Sequence, residues 1–121
     1  MTITPLTSMR TYVRVTSEGS RYARFRRALD TENLAMVRLA AAELPRVALD
    51  DALRVCLLIR DQDPAQYERA ALRWVGRFAL EAQSATLADV RAAADALARL
   101  PTDAEAAMWS LQRICLAHRV R

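Results

Sequence analysis

From Ser20 onward, apolar residues recur every three or four positions, which is the repeat of an α-helix rather than that of a β-strand. Capping residues and three prolines (Pro45, Pro64 and Pro101) interrupt this pattern and divide it into about six segments. The whole chain contains only two glycines, too few for a fold built on many tight turns. The sequence therefore predicts an all-α fold of about six helices.

Each predicted helix has its own start and stop signals. The first predicted helix spans roughly 20–29, the second begins after Asp30 or Thr31 and ends at Leu44, and the third begins at Asp50 and includes 52–59. The fourth begins at Asp63, with Pro64 and Gln66 in a capping box, and ends near Ala82. The fifth begins at Thr86, with Asp89 in a capping box, and ends before Pro101, and the sixth begins at Asp103. The apolar run 55–59 also fits a buried strand, but its helical flanks favour a helix. We expect the third and fourth helices to form the core, with Trp74 as an anchor.

Residues 1–19 differ from the rest of the chain. The segment 12–16 alternates β-branched and polar residues, as a short strand does, yet the chain offers no strand to pair with it. A lone strand leaves its backbone hydrogen bonds unsatisfied. The sequence therefore predicts a flexible N-terminal arm, or an edge strand completed by another chain, followed by one helical domain over 20–121.

Four short fragments recur in the same order, which suggests an internal duplication. The matched pairs are Arg24-Phe25 with Arg77-Phe78, Val37-Arg38 with Val90-Arg91, Leu44-Pro45 with Leu100-Pro101, and the segment 54–57 with 113–116. Two copies of a three-helix unit, over 20–61 and 64–118, would explain this order. Chance matches in a chain rich in Ala, Leu and Arg would also explain it, so both accounts remain open.

The residues that carry most enzyme chemistry are scarce. His118 is the only histidine, and Cys115 lies one helical turn before it, so the two side chains can share a face. Cys115 and Cys56 both fit apolar helical faces, which favours buried, reduced thiols over a nucleophile or a disulfide. Three Cys and His residues cannot complete a zinc site, and no glycine-rich phosphate loop is present. We therefore predict no catalytic, cofactor-binding or metal-binding residues, and no enzyme.

The charge distribution is the more informative feature. The chain has 18 arginines and no lysine, a bias typical of a high-GC bacterial genome, and its formal net charge is +4. Residues 1–29 carry +5 and residues 30–121 carry −1. Arginines also repeat along the predicted first and fourth helices, where like charges at this spacing repel each other. The predicted basic interaction surface consists of Arg21, Arg24, Arg27, Arg69, Arg73 and Arg77. Acids from the second and fifth helices are the competing explanation for how the row on the fourth helix, Arg69, Arg73 and Arg77, is neutralised.

Two functions fit these features. The first is a non-enzymatic protein-interaction or regulatory module that binds an acidic protein, or a second copy of the chain, through its arginines. The second is a nucleic-acid-associated protein that grips the phosphate backbone with the arm and the first and fourth helices. No run of 18 apolar residues and no signal peptide is evident, so we expect a cytoplasmic protein without membrane partners. Alanine-rich faces bury little area, and they favour oligomerisation.

Overall fold

A computed structural model describes residues 19–118, and six α-helices account for most of them. The helices are α1 over 19–31, α2 over Leu34–Ala42, α3 over Leu49–Gln62, α4 over Tyr67–Glu81, α5 over Leu87–Arg99 and α6 over Ala104–Ala117. No strand occurs between residues 19 and 118, which confirms the predicted all-α class. The predicted arm, apart from Gly19, lies outside the described residues. None of the helices in this range combines the length and the apolar character needed to cross a bilayer.

Two helix starts match the sequence signals. At α5, Thr86 Oγ1 accepts a hydrogen bond from the Asp89 backbone N–H at 3.2 Å, and the Asp89 carboxylate accepts one from the Thr86 N–H at 2.9 Å. At α6, the Asp103 carboxylate accepts a hydrogen bond from the Ala106 N–H at 3.4 Å. These side chains satisfy backbone donors that have no partner within the helix. Both predicted caps are therefore confirmed.

The predicted start of the second helix is wrong. Asn33, rather than Asp30 or Thr31, is the N-cap of α2, and its side-chain oxygen accepts a hydrogen bond from the Met36 N–H at 3.2 Å. The reason is that α1 continues through residue 31, so Asp30 and Thr31 both lie inside α1. Glu32 then takes a positive φ of 57°, the left-handed conformation that commonly ends a helix.

The predicted starts of the third and fourth helices are also wrong. The N-cap of α3 is Ala48, and Asp50 lies inside the first turn. There its carboxylate interacts favourably with the positive end of the helix dipole. Asp63 precedes a 3₁₀ turn over Pro64–Gln66, and its side chain makes no capping hydrogen bond. The Gln66 N–H is satisfied instead by the Asp63 backbone carbonyl at 2.9 Å, so the predicted capping box does not form. The predicted end at Ala82 is confirmed.

The chain divides into two compact units, Met1–Arg46 and Val47–Arg121. In the first unit, the helices α1 and α2 contribute the buried side chains of Phe25, Leu29 and Val37. The predicted single domain over 20–121 and the duplication both stay predictions. Each matched fragment lies at the corresponding place in the helix order α1–α2–α3 and α4–α5–α6, but the two compact units divide at a different position from the proposed repeats.

The second unit is organised around α4. Trp74 is 2% exposed, and its Nε1–H donates a hydrogen bond to the Leu49 carbonyl of α3 at 2.8 Å. Tyr67 donates its hydroxyl hydrogen to the Leu97 carbonyl of α5 at 2.6 Å. Phe78 is fully buried and stacks on Trp74 with ring centroids 5.5 Å apart. Trp74 is therefore the anchor that the sequence predicted, because it joins apolar burial to a satisfied polar atom.

Candidate functional site

The predicted basic residues of the first unit lie on α1. Arg21, Arg24 and Arg27 are all exposed to solvent. Arg24 forms an ion pair with Glu43, at 2.7 Å between Nη2 and Oε2, and both side chains are about half exposed. An exposed pair of this kind contributes at most about 1 kcal/mol. One of the three arginines is therefore neutralised by an acid that directly follows α2.

A shallow groove of about 470 Å³ lies between α1 and α2 in the same unit. Its walls include the apolar side chains of Met36 and Leu39, which are 51% and 73% exposed. Arg24 and Glu43, the ion pair just described, both line this groove. Arg27 also lines the groove and makes no ion pair within residues 19–118, so the groove presents one unpaired arginine to a partner.

The side of α4 that faces away from the core carries a mixed basic and apolar surface. Each helical residue advances the direction of its side chain by about 100°. Positions 69, 72, 73, 76 and 80 therefore fall within about one third of the circumference, opposite Trp74 and Phe78. All five of these residues are exposed. We call this surface the α4 outer face, and it consists of Arg69, Leu72, Arg73, Gly76 and Leu80.

Two arginines of the α4 outer face have no ion-pair or hydrogen-bond partner among the residues that the structure describes. Within residues 19–118, no ion pair or hydrogen bond engages the side chain of Arg69 or Arg73. Arg77, at the edge of the face, forms an ion pair with Glu81, with 2.7 Å between Nε and Oε2. The proposed neutralisation of this row by acids of the fifth helix is not observed for Arg69 or Arg73. These two side chains leave a positive charge exposed on α4.

The apolar part of the α4 outer face is equally open. Leu72 is 69% exposed and Leu80 is 86% exposed. Gly76 lies between them at four-residue spacing, and a Cβ built on it meets no other atom within 4 Å in the described part of the chain. No helix within the described residues therefore packs closely against this glycine. A glycine within a helix lowers the free energy of unfolding, and no close packing against Gly76 within the described residues offsets this loss.

Leu72 also belongs to an apolar groove of about 360 Å³ between α4 and α5. The groove is lined by Tyr67, Glu68, Ala71, Leu72, Val75, Ala94, Leu97, Ala98 and Pro101. Most of these side chains are small or aliphatic, so the groove is mainly apolar. The α4 outer face and this groove therefore form one continuous surface through Leu72. The helical periodicity alone contained the signal for Leu72 and Leu80, because both lie opposite Trp74.

The two cysteines are free and buried. Burial raises the pKa of the Cys56 thiol to about 11, although the nearby Arg73 guanidinium partly offsets this effect. Burial likewise raises the pKa of Cys115 to about 11, and Asp50 adds to the increase. A thiol with so high a pKa holds its proton near neutral pH and is a poor nucleophile. In residues 19–118, no three His, Cys, Asp or Glu side chains are grouped as metal ligands would be.

His118 has partners that the sequence did not indicate. Its Nδ1 lies 2.7 Å from Ser84 Oγ, and its Nε2 lies 3.1 Å from Asp89 Oδ2. Ser84 belongs to the turn between α4 and α5, so the contact joins residues 34 positions apart. The sequence indicated only that His118 can share a helical face with Cys115. No local pattern identifies Ser84, because its role depends on how α5 and α6 pack against each other.

Comparisons of the chain with protein-family models, curated proteins and solved structures give no match.

Proposed function

We propose that the chain is a protein-interaction module whose α4 outer face binds an acidic, amphipathic segment of another protein. The observation that carries the proposal is the combination of unpaired Arg69 and Arg73 with exposed Leu72 and Leu80 on one helical face. Carboxylates of the partner would neutralise the two guanidinium groups, which otherwise repel each other at four-residue spacing. Apolar side chains of the partner would cover the leucines.

The apolar residues favour a protein over a nucleic acid. Phosphate contacts use arginines but gain nothing from exposed leucines. Full burial of one leucine side chain is worth about 1.5–3 kcal/mol, so Leu72 and Leu80 add substantially to binding of an apolar partner. The groove beside Leu72 offers space for one apolar anchor, the kind of side chain that dominates interface energetics. Open space above Gly76 permits a partner helix to approach closely.

The charge disfavours a second copy of the chain at this face. In a two-fold dimer the same surface meets itself, so Arg69 and Arg73 of one copy would lie against those of the other. Like charges at an interface are repulsive and oppose such pairing. The proposed partner is therefore a different protein with acidic residues flanking an apolar stripe. A cytoplasmic location remains part of this proposal.

The test uses a fluorescein-labelled helical peptide with leucines on one face and glutamates beside them, and fluorescence anisotropy measures its binding. Replacing Arg69 and Arg73 with Gln should weaken binding about tenfold, since two exposed ion pairs contribute about 1 kcal/mol or slightly more together. Leu80→Gln should weaken binding as well. The matched control is the Arg91→Gln, Arg99→Gln double variant, which removes the same charge from α5.

Three results would contradict the proposal. Equal weakening by both double variants would mean that the peptide responds only to net charge. Binding of random duplex DNA that Arg69→Gln, Arg73→Gln abolishes and Leu80→Gln leaves intact would favour the nucleic-acid function. A fall of several kcal/mol in the free energy of unfolding of Arg69→Gln, Arg73→Gln would make the arginines structural. We expect instead that this variant keeps or gains stability, because a like-charge repulsion is lost.

A further inference from the structure

The contacts of His118 resemble those of a base that activates a nucleophile. The Asp89 carboxylate, when ionised, can only accept hydrogen bonds, so its 3.1 Å contact with Nε2 requires a proton on that nitrogen. In the neutral imidazole, Nδ1 is then unprotonated and accepts the hydroxyl hydrogen of Ser84 across 2.7 Å. The hydroxyl proton of Ser84 therefore points at a basic nitrogen whose tautomer is set by a carboxylate.

The fold holds the three groups in place. Asp89 is fixed by the capping box, and the hydrogen bonds from the Thr86 backbone and side chain hold the pKa of its carboxyl below the usual value. It is therefore ionised at neutral pH. The imidazole of His118 is only 11% exposed and meets the Phe78 ring edge-on, with centroids 5.6 Å apart. Ser84 is exposed, so the nucleophile is reachable while its base is sheltered.

We propose that Ser84, His118 and Asp89 form a catalytic triad that hydrolyses small activated esters. Ser84 Oγ attacks the ester carbonyl carbon and forms a new C–O bond, while its proton moves to His118 Nδ1. The bond to the leaving alkoxide or phenoxide breaks, and Nδ1 returns the proton to that oxygen. Water, deprotonated by the same nitrogen, then cleaves the acyl-serine. One ester and one water thus yield one acid and one alcohol, and the serine is regenerated.

Small aryl esters are the substrate class that suits this site. Ser84 lies on an exposed turn, so an electrophile with a good leaving group reacts there without needing an enclosing pocket. This proposal is independent of the α4 outer face and departs from the sequence expectation that the chain is not an enzyme.

The experiment measures hydrolysis of p-nitrophenyl acetate by the full chain, together with mass spectrometry of the rapidly quenched protein. We expect turnover above that of the same protein unfolded in urea, and an acetyl group on Ser84. Ser84→Ala and His118→Gln should each lower the excess rate roughly a hundredfold, the lower range for loss of general-base catalysis. Asp89→Asn should also lower this rate, because an amide orients the imidazole less well. The matched control is Ser110→Ala on α6, which should leave the rate unchanged.

Circular dichroism of each variant shows whether its helices persist, so that a lost rate is assigned to chemistry and not to unfolding. An unchanged rate in Ser84→Ala would overturn the proposal, because Ser84 would then not be the nucleophile. Acetylation confined to other residues would overturn it too. So would a folded wild-type protein that is no faster than the unfolded chain.

Discussion

The largest energetic effect that the structure assigns to one side chain belongs to Trp74. The indole is 2% exposed, stacks on Phe78 at an interplanar angle of 7°, and donates its N–H to the Leu49 carbonyl. Trp74→Ala removes all three contributions and leaves a cavity at the centre of the second unit. Trp74→Phe keeps an aromatic ring in place but loses the hydrogen bond and part of the volume.

These differences set the expected magnitudes. Truncation of a buried aromatic residue to alanine typically costs about 3–5 kcal/mol, and the stacked pair contributes about 0.5–1.5 kcal/mol beyond buried area. We therefore expect Trp74→Ala to lower the free energy of unfolding by about 4–5 kcal/mol, most of the stability of a small domain. For Trp74→Phe we expect about 1–2 kcal/mol, since one hydrogen bond contributes about 1 kcal/mol.

Urea denaturation followed by circular dichroism measures both losses. Trp109→Phe is the matched control, because Trp109 is 61% exposed and its contact is the Arg113 guanidinium, 4.8 Å from the ring. That substitution should change the free energy of unfolding by no more than about 1 kcal/mol. It also leaves Trp74 as the only tryptophan in the sequence, and the emission of its indole should shift to the red on unfolding. The reasoning is refuted if Trp74→Ala and Trp109→Phe lose similar stability.

Three further predictions follow from single residues. Because burial raises the pKa of Cys56 and Cys115 to about 11, neither thiol should react with a disulfide reagent at pH 8 until urea unfolds the chain, when two should be counted. Because the pKa of Asp89 is lowered in the folded state, its ionised carboxylate stabilises the fold above about pH 4. The difference in the free energy of unfolding between wild type and Asp89→Asn should therefore shrink as pH falls below 3.8. Glu32→Gly should raise the free energy of unfolding by about 1 kcal/mol in urea titrations, since glycine tolerates a φ of 57°; a loss would contradict this account.

The helices themselves could be predicted from local chemistry. Thr86, Asp89 and Asp103 cap the helices that the sequence assigned to them, and Trp74 is buried where the apolar stripe placed it. The predicted helix starts are wrong where neighbouring residues could each serve as the N-cap. Thr31 was a plausible cap, but α1 extended through it, and Asn33 served instead. Alternative positions for a helix cap differ by small free energies. Helix propensity and one side-chain hydrogen bond are therefore too weak to determine the position of the cap by themselves.

The candidate surfaces depended on tertiary structure to different degrees. Arg69, Arg73 and Leu72 follow from the helical repeat, so the sequence by itself determined that they share the face opposite Trp74. Whether acids covered those arginines was undecided until the structure located their surroundings. No local sequence pattern could predict the contact of Ser84 with His118, because it joins residues 34 positions apart. Helical periodicity determines which side chains share a face, whereas packing between helices decides which faces meet, and only the latter creates contacts between distant residues.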